Sequence, residues 1–250
     1  MASKIDPHYH TRSSDGEDYI SNSVPAAQKL GLDALVVTDH LSANEKWIAP
    51  THSYSNNIEF MKKYRAMNKD GLFPVIIGIE FCLPAKLCKE RTEVLVFGTE
   101  MCSAIQHMIE HHSSEIKNYK IDDFMKLKEK YECAIVQCHP FKYSKIEQEL
   151  LHLIDGCEIT SCGVGVPEYK ALLEECKQYK KMPISSGDGH NCRGLPIISW
   201  LGRAHMIFSI DLKNEKDLIK AIKENRVESL YFEKDRVMQT ETFKSNTNFS

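Results

Sequence analysis

The sequence predicts an α/β protein whose mostly parallel strands close, or nearly close, into a barrel. Short apolar runs of strand length alternate with helical periodicities along the chain, the pattern of β-α units joined by right-handed crossovers. No Gly-rich nucleotide fingerprint follows the first strand, which favours a barrel of about six or seven units over an open, doubly wound sheet. The polar residues that interrupt the pattern are His8, His10, His40, Glu80, His139, Asp188 and His190. All fall at the expected C-terminal ends of strands, where a barrel gathers its functional side chains.

The first strand is expected over residues 5–10, followed by a Ser13-Ser14-Asp15-Gly16 turn. Apolar positions 20, 24, 27 and 30, with Gly31 as a stop, predict a helix over 18–30 in which Pro25 is tolerated near the start or at a kink. The run 34–37 reads as a buried parallel strand leading into Thr38-Asp39-His40. Few regular signals mark 41–57, and a helix over 57–69 closes at Asp70-Gly71. Strands follow at 74–79, ending on Gly78-Ile79-Glu80, and at 93–97. Helices are expected over 103–112 and 121–131, the second with Ile121, Phe124, Met125 and Leu127 on its apolar side. A strand at 133–138 ends on His139-Pro140. A helix over 145–154, a strand at 156–159, a helix over 167–179 and a strand at 182–186 continue the alternation into Gly187-Asp188-Gly189-His190. A strand at 203–210 and a helix over 215–225 come last. The expected organisation is one domain over 1–239 with a frayed polar tail over 240–250.

With 250 residues, 42% hydrophobic and 27% charged, the chain has the composition of an ordinary globular protein rather than a disordered or fibrous one. A net charge of −3 supplies no general basic surface, so long non-specific DNA binding is disfavoured and nucleic acid enters only as a substrate at a local cationic patch. The nine cysteines are odd in number and form no C-x-x-C pair; they read as reduced, mostly buried thiols, which points to the cytoplasm. The first residues lack the apolar core of a signal peptide, and no apolar run is long enough for a membrane span, so no membrane partner is expected.

His8 and His10 stand two apart, so on extended backbone they share a face and can converge on one ion. Alone that is weak evidence. The later strand ends add three more His, a Glu and an Asp, and the first turn adds Asp15. Mixed nitrogen and oxygen donors favour Mn, Zn or Fe, and the donors are too many for one ion. The alternative, that each is an isolated loop or capping residue, explains any one of them but not the set.

The ordered motifs Asp6-Pro7-His8-Tyr9-His10, Thr38-Asp39-His40, Gly78-Ile79-Glu80, His139-Pro140 and Gly187-Asp188-Gly189-His190 resemble those of the PHP (polymerase and histidinol phosphatase) family. The resemblance runs from about Lys4 to His190 and implies a distorted (β/α)7 barrel, a trinuclear metal centre and phosphoester hydrolysis by a metal-bound water. It implies a first metal held by His8, His10, Glu80 and Asp188, with Glu80 bridging to a second that His139 also holds, and a third held by Asp15, His40 and His190. One departure touches a ligand: the family's histidine before Val-Leu-Val-Phe-Gly is Glu93 here, which favours a harder ion such as Mn at the second site or leaves it weakly occupied. Pro7 and the glycines of Gly187-Asp188-Gly189-His190 also depart from the pattern, without removing a ligand.

Arg12, Arg193 and Lys46 are the phosphate-binding candidates, the arginines favoured by their bidentate fork. His205 is a weak general-acid candidate. His107, His111, His112 and His152 read as solvent-facing helix residues. The expected function is hydrolysis of a small phosphomonoester. The alternatives are a phosphodiesterase or exonuclease acting on nucleic acid or nucleotides, and a non-catalytic metal-binding scaffold. Substrate specificity would lie in the loops 41–57, 84–92 and 191–202, with Trp47, Tyr54 and Trp200 as candidate ring contacts.

Overall fold

The computed structural model describes residues 1–42, 53–67, 72–84, 87, 92–140, 146–160, 166–192, 200–234 and 237–242. In chain order the elements are β1 (Ser3–Ile5), α1 (Ile20–Lys29), β2 (Leu35–Val37), β3 (His40–Ser42), α2 (Ser53–Met67), β4 (Val75–Ile77), β5 (Ile79–Cys82) and β6 (Glu93–Phe97). Then come α3 (Thr99–His111), α4 (Ser113–Ile116), α5 (Ile121–Lys130), β7 (Ala134–Gln137), a 3-10 turn (Gln148–Leu150), β8 (Gly156–Thr160), α6 (Val166–Tyr179) and β9 (Met182–Ser185). β10 (His205–Phe208), α7 (Glu215–Lys223), β11 (Val227–Lys234) and β12 (Val237–Thr242) complete the chain.

Seven staves of extended backbone form a ring. β2 pairs with β4 and β3 with β5, both parallel, so residues 35–42 and 75–82 make two long staves, each broken once. The breaks are bridged by backbone bonds from Gly78 N to Val37 O at 2.8 Å and from Glu80 N to Asp39 O at 3.2 Å. β5, β6, β7, β8 and β9 continue side by side. Closure comes from residues 8–10: Thr38 N donates to Tyr9 O at 2.9 Å on one side, and His10 N donates to Gly189 O at 2.8 Å on the other. The buried aliphatic runs of β2, β4, β6 and β7 fill the core, with both faces covered. That two-sided burial is why their sequence is continuous rather than alternating.

The ring is a distorted (β/α)7 barrel with mixed strand directions, less parallel than the alternation predicts. β6 runs antiparallel to both β5 and β7. No helix separates β5 from β6 among the described residues, and an antiparallel partner needs no crossover. The reversal has a functional effect. It brings the first residue of β6, Glu93, opposite Cys82 at the end of β5, so Glu93 joins the strand C-terminal ends of its neighbours. A second sheet, β1-β10-β11-β12, is wholly antiparallel, and its β10 and β11 pack against β9 of the ring, where Ser185 Oγ donates to Tyr231 O at 2.6 Å.

The strand expected over 5–10 stops at Ile5. Pro7 has no N–H for a ladder, and the Asp6 carboxylate takes the N–H of His8 at 3.3 Å, Gly187 at 2.9 Å and Gly202 at 2.8 Å in place of strand pairing. The helix expected over 145–154 is, among its described residues, only the 3-10 turn 148–150. α2 starts earlier than expected, at Ser53, whose hydroxyl donates to His40 O at 2.7 Å. Pro25 lies inside α1. No strand is expected over 227–242, yet β11 and β12 form a hairpin there that carries 240–242. The described cysteines are thiols rather than disulfides, and among the described residues no helix is long and apolar enough to cross a membrane.

Gly78 joins β4 to β5, and a Cβ there would lie 2.7 Å from Val96 O and 2.9 Å from the Phe97 ring. Gly78→Ala is therefore expected to lower unfolding stability by about 1–3 kcal/mol, read from urea midpoints. An unchanged midpoint would show that the contact yields freely.

Candidate metal centre

Backbone alternation aims the first donors. Tyr9 points outward, where its hydroxyl meets Ser23 Oγ of α1 at 2.8 Å, so His8 and His10 point into the ring. His40 is paired in register with Glu80 across β3 and β5. Thr11 N and Thr11 Oγ1 donate to the Asp39 carboxylate at 2.6 Å each, and Asn57 Nδ2 at 2.7 Å, fixing the turn that carries Asp15.

These side chains converge. His8 Nε2 and His10 Nε2 are 3.0 Å apart. Glu80 Oε2 lies 3.0 Å from His40 Nδ1, 3.3 Å from His10 Nε2 and 3.4 Å from His8 Nε2. Asp188 Oδ1 lies 3.3 Å from His10 Nε2 and 3.5 Å from His8 Nε2. His139 Nε2 is 2.8 Å from Glu80 Oε1 and 3.8 Å from Glu93 Oε2. Asp15 Oδ2 is 3.4 Å from His40 Nε2 and 3.3 Å from His190 Nε2. All nine residues expected as metal ligands thus meet in one cluster.

The arrangement fits divalent ions better than it fits a hydrogen-bond network. Glu80 Oε2 and His10 Nδ1 are buried with no hydrogen bond among the described residues, although Glu80 Oε2 is ringed by three imidazoles. Donor atoms 3.0–3.5 Å apart that point at a common centre suit an ion about 2.0–2.1 Å from each. His8 makes the case sharper. Its Nδ1 faces Glu158 Oε1 at 2.7 Å, which places a ring proton on Nδ1 and turns Nε2 toward the cluster, where an ion would take its lone pair. Groups able to hold an ion include His8, His10 and Asp188; His10, His40 and Glu80; and His10, Asp15 and His190.

Electrostatics agree. Burial opposes charge on His8, yet Glu158, Glu80 and Asp188 raise its pKa well above the usual value. His40 is pushed up to about 11 against burial, chiefly by Glu80 and Asp15. Burial lifts Glu80 and Asp188, but the surrounding histidines hold both well below the carboxylate range. Such a site demands positive charge. His139 and Asp188 have positive φ, 23° and 48°, backbone that residues other than Gly and Asn adopt at a cost and that clusters at functional sites.

Two residues join the cluster without having been singled out in the sequence. Glu158 faces His8, takes the backbone N–H of His139 at 2.7 Å and accepts a short hydrogen bond from Ser186 Oγ. A carboxylate inside the apolar run Gly156-Cys157-Glu158-Ile159 is the signal that marks it. Cys138 belongs with His8 and Glu80 in one donor group and with His139 and Glu158 in another. Nothing in sequence separates it from the other buried cysteines.

The secondary candidates fare differently. Arg12 is exposed, its guanidinium 5.1 Å over the Tyr19 ring. Arg193 and Lys46 lie outside the described residues, as does Trp47. His205 stacks on Tyr231 at 4.6 Å, and burial with nearby Lys4 lowers its pKa to about 4. A ring neutral at pH 7 is no proton donor, so the general-acid assignment is not supported. Tyr54 donates to Thr99 O at 3.1 Å as a packing residue, and Trp200 lies beneath Arg203 at 5.1 Å. His107, His111, His112 and His152 are exposed.

The PHP domain signature matches residues 6–182. The chain belongs to the PHP domain family. With its clustered donors it is a metal-dependent phosphoesterase, and the donors suffice for two or three divalent ions. No curated protein matches by sequence. Among solved structures, a Bifidobacterium adolescentis protein assigned by inference as a metal-dependent phosphoesterase aligns at TM-score 0.53 and 14% identity, over 87% of this chain and 94% of its own. A two-domain Bacteroides vulgatus protein containing a PHP-like domain aligns at TM-score 0.63 and 19% identity, over 93% of this chain and 65% of its own. An amidohydrolase from Chromobacterium violaceum, solved with sulfate and no metal, aligns at TM-score 0.50 and 13% identity, over 78% of this chain and 93% of its own. At these identities the likeness is one of fold.

Removing the charge that orients His8, in Glu158→Gln, is expected to weaken metal binding about 10–100-fold, measured by chelator competition. Equal affinity would refute the role. Folded His205 protonates near 4 and unfolded His near 6.5, so the unfolded chain binds more protons between those values and stability falls as pH drops through them. Urea midpoints at several pH values should therefore decline less steeply for His205→Phe than for the wild type.

Proposed function

We propose that this phosphoesterase hydrolyses a small phosphomonoester, with His8, His10, Glu80 and Asp188 holding a first ion, Glu80, His139 and Glu93 a second, and Asp15, His40 and His190 a third. The observation that carries the reading is the Glu80 carboxylate. One oxygen faces His139, while the other lies among His8, His10 and His40 without a hydrogen bond. A carboxylate with donors gathered at both oxygens is suited to bridging.

Divalent ions held there would supply the chemistry of the class, a water of lowered pKa for attack at phosphorus and positive charge to offset that on the phosphoryl oxygens. The chain's own residues set the geometry. Glu158 fixes the tautomer and direction of His8, and Asp6 ties the His8 segment to Gly187, next to Asp188. Depth supports the monoester reading. His8, His10, Glu80 and Asp188 are buried, whereas the Asp15 side chain is 50% exposed and that of His190 25%. Among the described residues the centre is therefore most exposed at Asp15 and His190, and a terminal phosphoryl group reaching in at that edge fits the buried donors behind it. The reduced, mostly buried thiols of the described cysteines fit a cytoplasmic setting.

Protein loaded with Mn, Zn or Fe should release phosphate from at least one member of a monoester panel. His8→Ala and Asp188→Ala should each lower kcat/KM by on the order of a hundredfold or more, since removing a ligand exceeds the loss from removing its support. Metal-loaded protein that cleaves only diesters, or nothing on the panel, would overturn the assignment.

A further inference from the structure

Strand parity places one more donor against the second ion site. β6 and β7 are antiparallel with Val94 opposite Gln137, and the next rung is Glu93 opposite Cys138, where Cys138 N donates to Glu93 O at 2.8 Å. Residues directly opposite in an antiparallel pair share a face. On the other side of β6, Glu80 is opposite Leu95 and Cys82 opposite Glu93, so Glu80, Glu93 and Cys138 all face the interior. β8 confirms the parity from its far side. Glu158 faces in to His8, and its neighbour Cys157 faces out to Cys176 of α6.

His139 follows Cys138 and by simple alternation would face outward. Its φ of 23° breaks the alternation, and its ring reaches Glu80 from the same side as the thiol. Consecutive residues therefore both point at one place. Glu80, one oxygen of which is buried without a hydrogen bond among the described residues, shares a donor group with Cys138 and His8.

We infer that Cys138 is a thiolate ligand of the second metal ion, supplying the strong donor that Glu93 does not. The inference rests on the metal-centre reading above and deepens it. The two departures are cross-strand neighbours: an oxygen stands where the family's resemblance calls for imidazole, and a sulfur stands directly opposite. Sulfur changes the metal preference. A site of Glu80, His139, Glu93 and a thiolate favours Zn or Fe over Mn, reversing what Glu93 alone suggests. Binding deprotonates the thiol, and the proton leaves to solvent.

Cobalt(II) reports this directly, because a thiolate bound to it gives an intense near-ultraviolet charge-transfer band that nitrogen and oxygen ligands do not. Wild-type protein titrated with cobalt(II) should develop the band. Cys138→Ser should lose it while keeping the weaker visible bands of the remaining sites, and Cys82→Ser, on the same face, should retain it. Zinc affinity at the second site should fall about tenfold or more in Cys138→Ser, and Glu93→His in that background should recover affinity without restoring the band. Full cobalt occupancy in the wild type with no charge-transfer band, or a band that survives in Cys138→Ser, overturns the thiolate ligand and leaves the metal centre standing. Failure of the wild type to bind cobalt overturns both. The wild-type spectrum decides the question even if the variants fold poorly.

Discussion

Tyr9 closes the ring with its backbone. Its carbonyl accepts from Thr38 N, its own N–H meets Thr38 Oγ1 at 3.1 Å, and the peptide groups of His8 and His10 on either side bond to Gly189. One short extended segment is thereby held between the second stave and the last, although the first regular strand has already ended at Ile5. With Tyr9 turned out to Ser23, the histidines before and after it must turn inward. Asp6 secures this arrangement by taking the backbone N–H of His8 in its own segment and those of Gly187 and Gly202 from two distant ones, and its burial raises its pKa to about 7 even against those bonds. Without closure, the ligands of the first three staves and those of the last would lie on opposite sides of an open sheet.

Closure creates an electrostatic problem that ions resolve. Imidazoles and carboxylates are forced together in a space without water contact for most of them, and an unpaired buried charge is expensive. Without metal, the carboxylates keep protons on the histidines, as the raised pKa values of His8 and His40 show. A bound divalent ion replaces those protons with fixed positive charge and uses the lone pairs they occupied. The backbone strain at His139 and Asp188 belongs to the same economy, since both residues bring side chains to where the charge is compensated.

Much of this was legible in the sequence because burial on both faces leaves a strong mark. Continuous apolar runs located β2, β4, β6, β7, β8 and β9, and the His, Asp and Glu residues expected as ligands beside those runs lie close to one another. Features that depend on tertiary pairing were not legible. The antiparallel direction of β6 has no local signal, and Pro7 with Asp6 shortens the first strand through contacts almost two hundred residues away in sequence, Gly202 at |i−j| = 196 among them. The β11–β12 hairpin mixes charged and apolar residues and draws its register from β10. Arg12 looked like a phosphate contact by its place beside His10, but alternation there ends at Thr11, and its side chain turns to Tyr19.

Glu158 and Cys138 show why residue type alone underdetermines a site. Both sit on apolar strands, and both would be read as one buried residue among several. What distinguishes them is parity: Val136 and Gly156 are paired in register across parallel strands, so the positions two further on, 138 and 158, face the same interior layer. That layer also takes Glu93 from the reversed strand β6 and Ser186 from beyond β9. The reversal of β6 is thus part of the design of the centre. It supplies its first residue to a layer that β5, β7 and β8 supply from within the strand or just past its C-terminal end, and so sets Glu93 across from Cys138 at the point where the imidazole implied by the resemblance is missing.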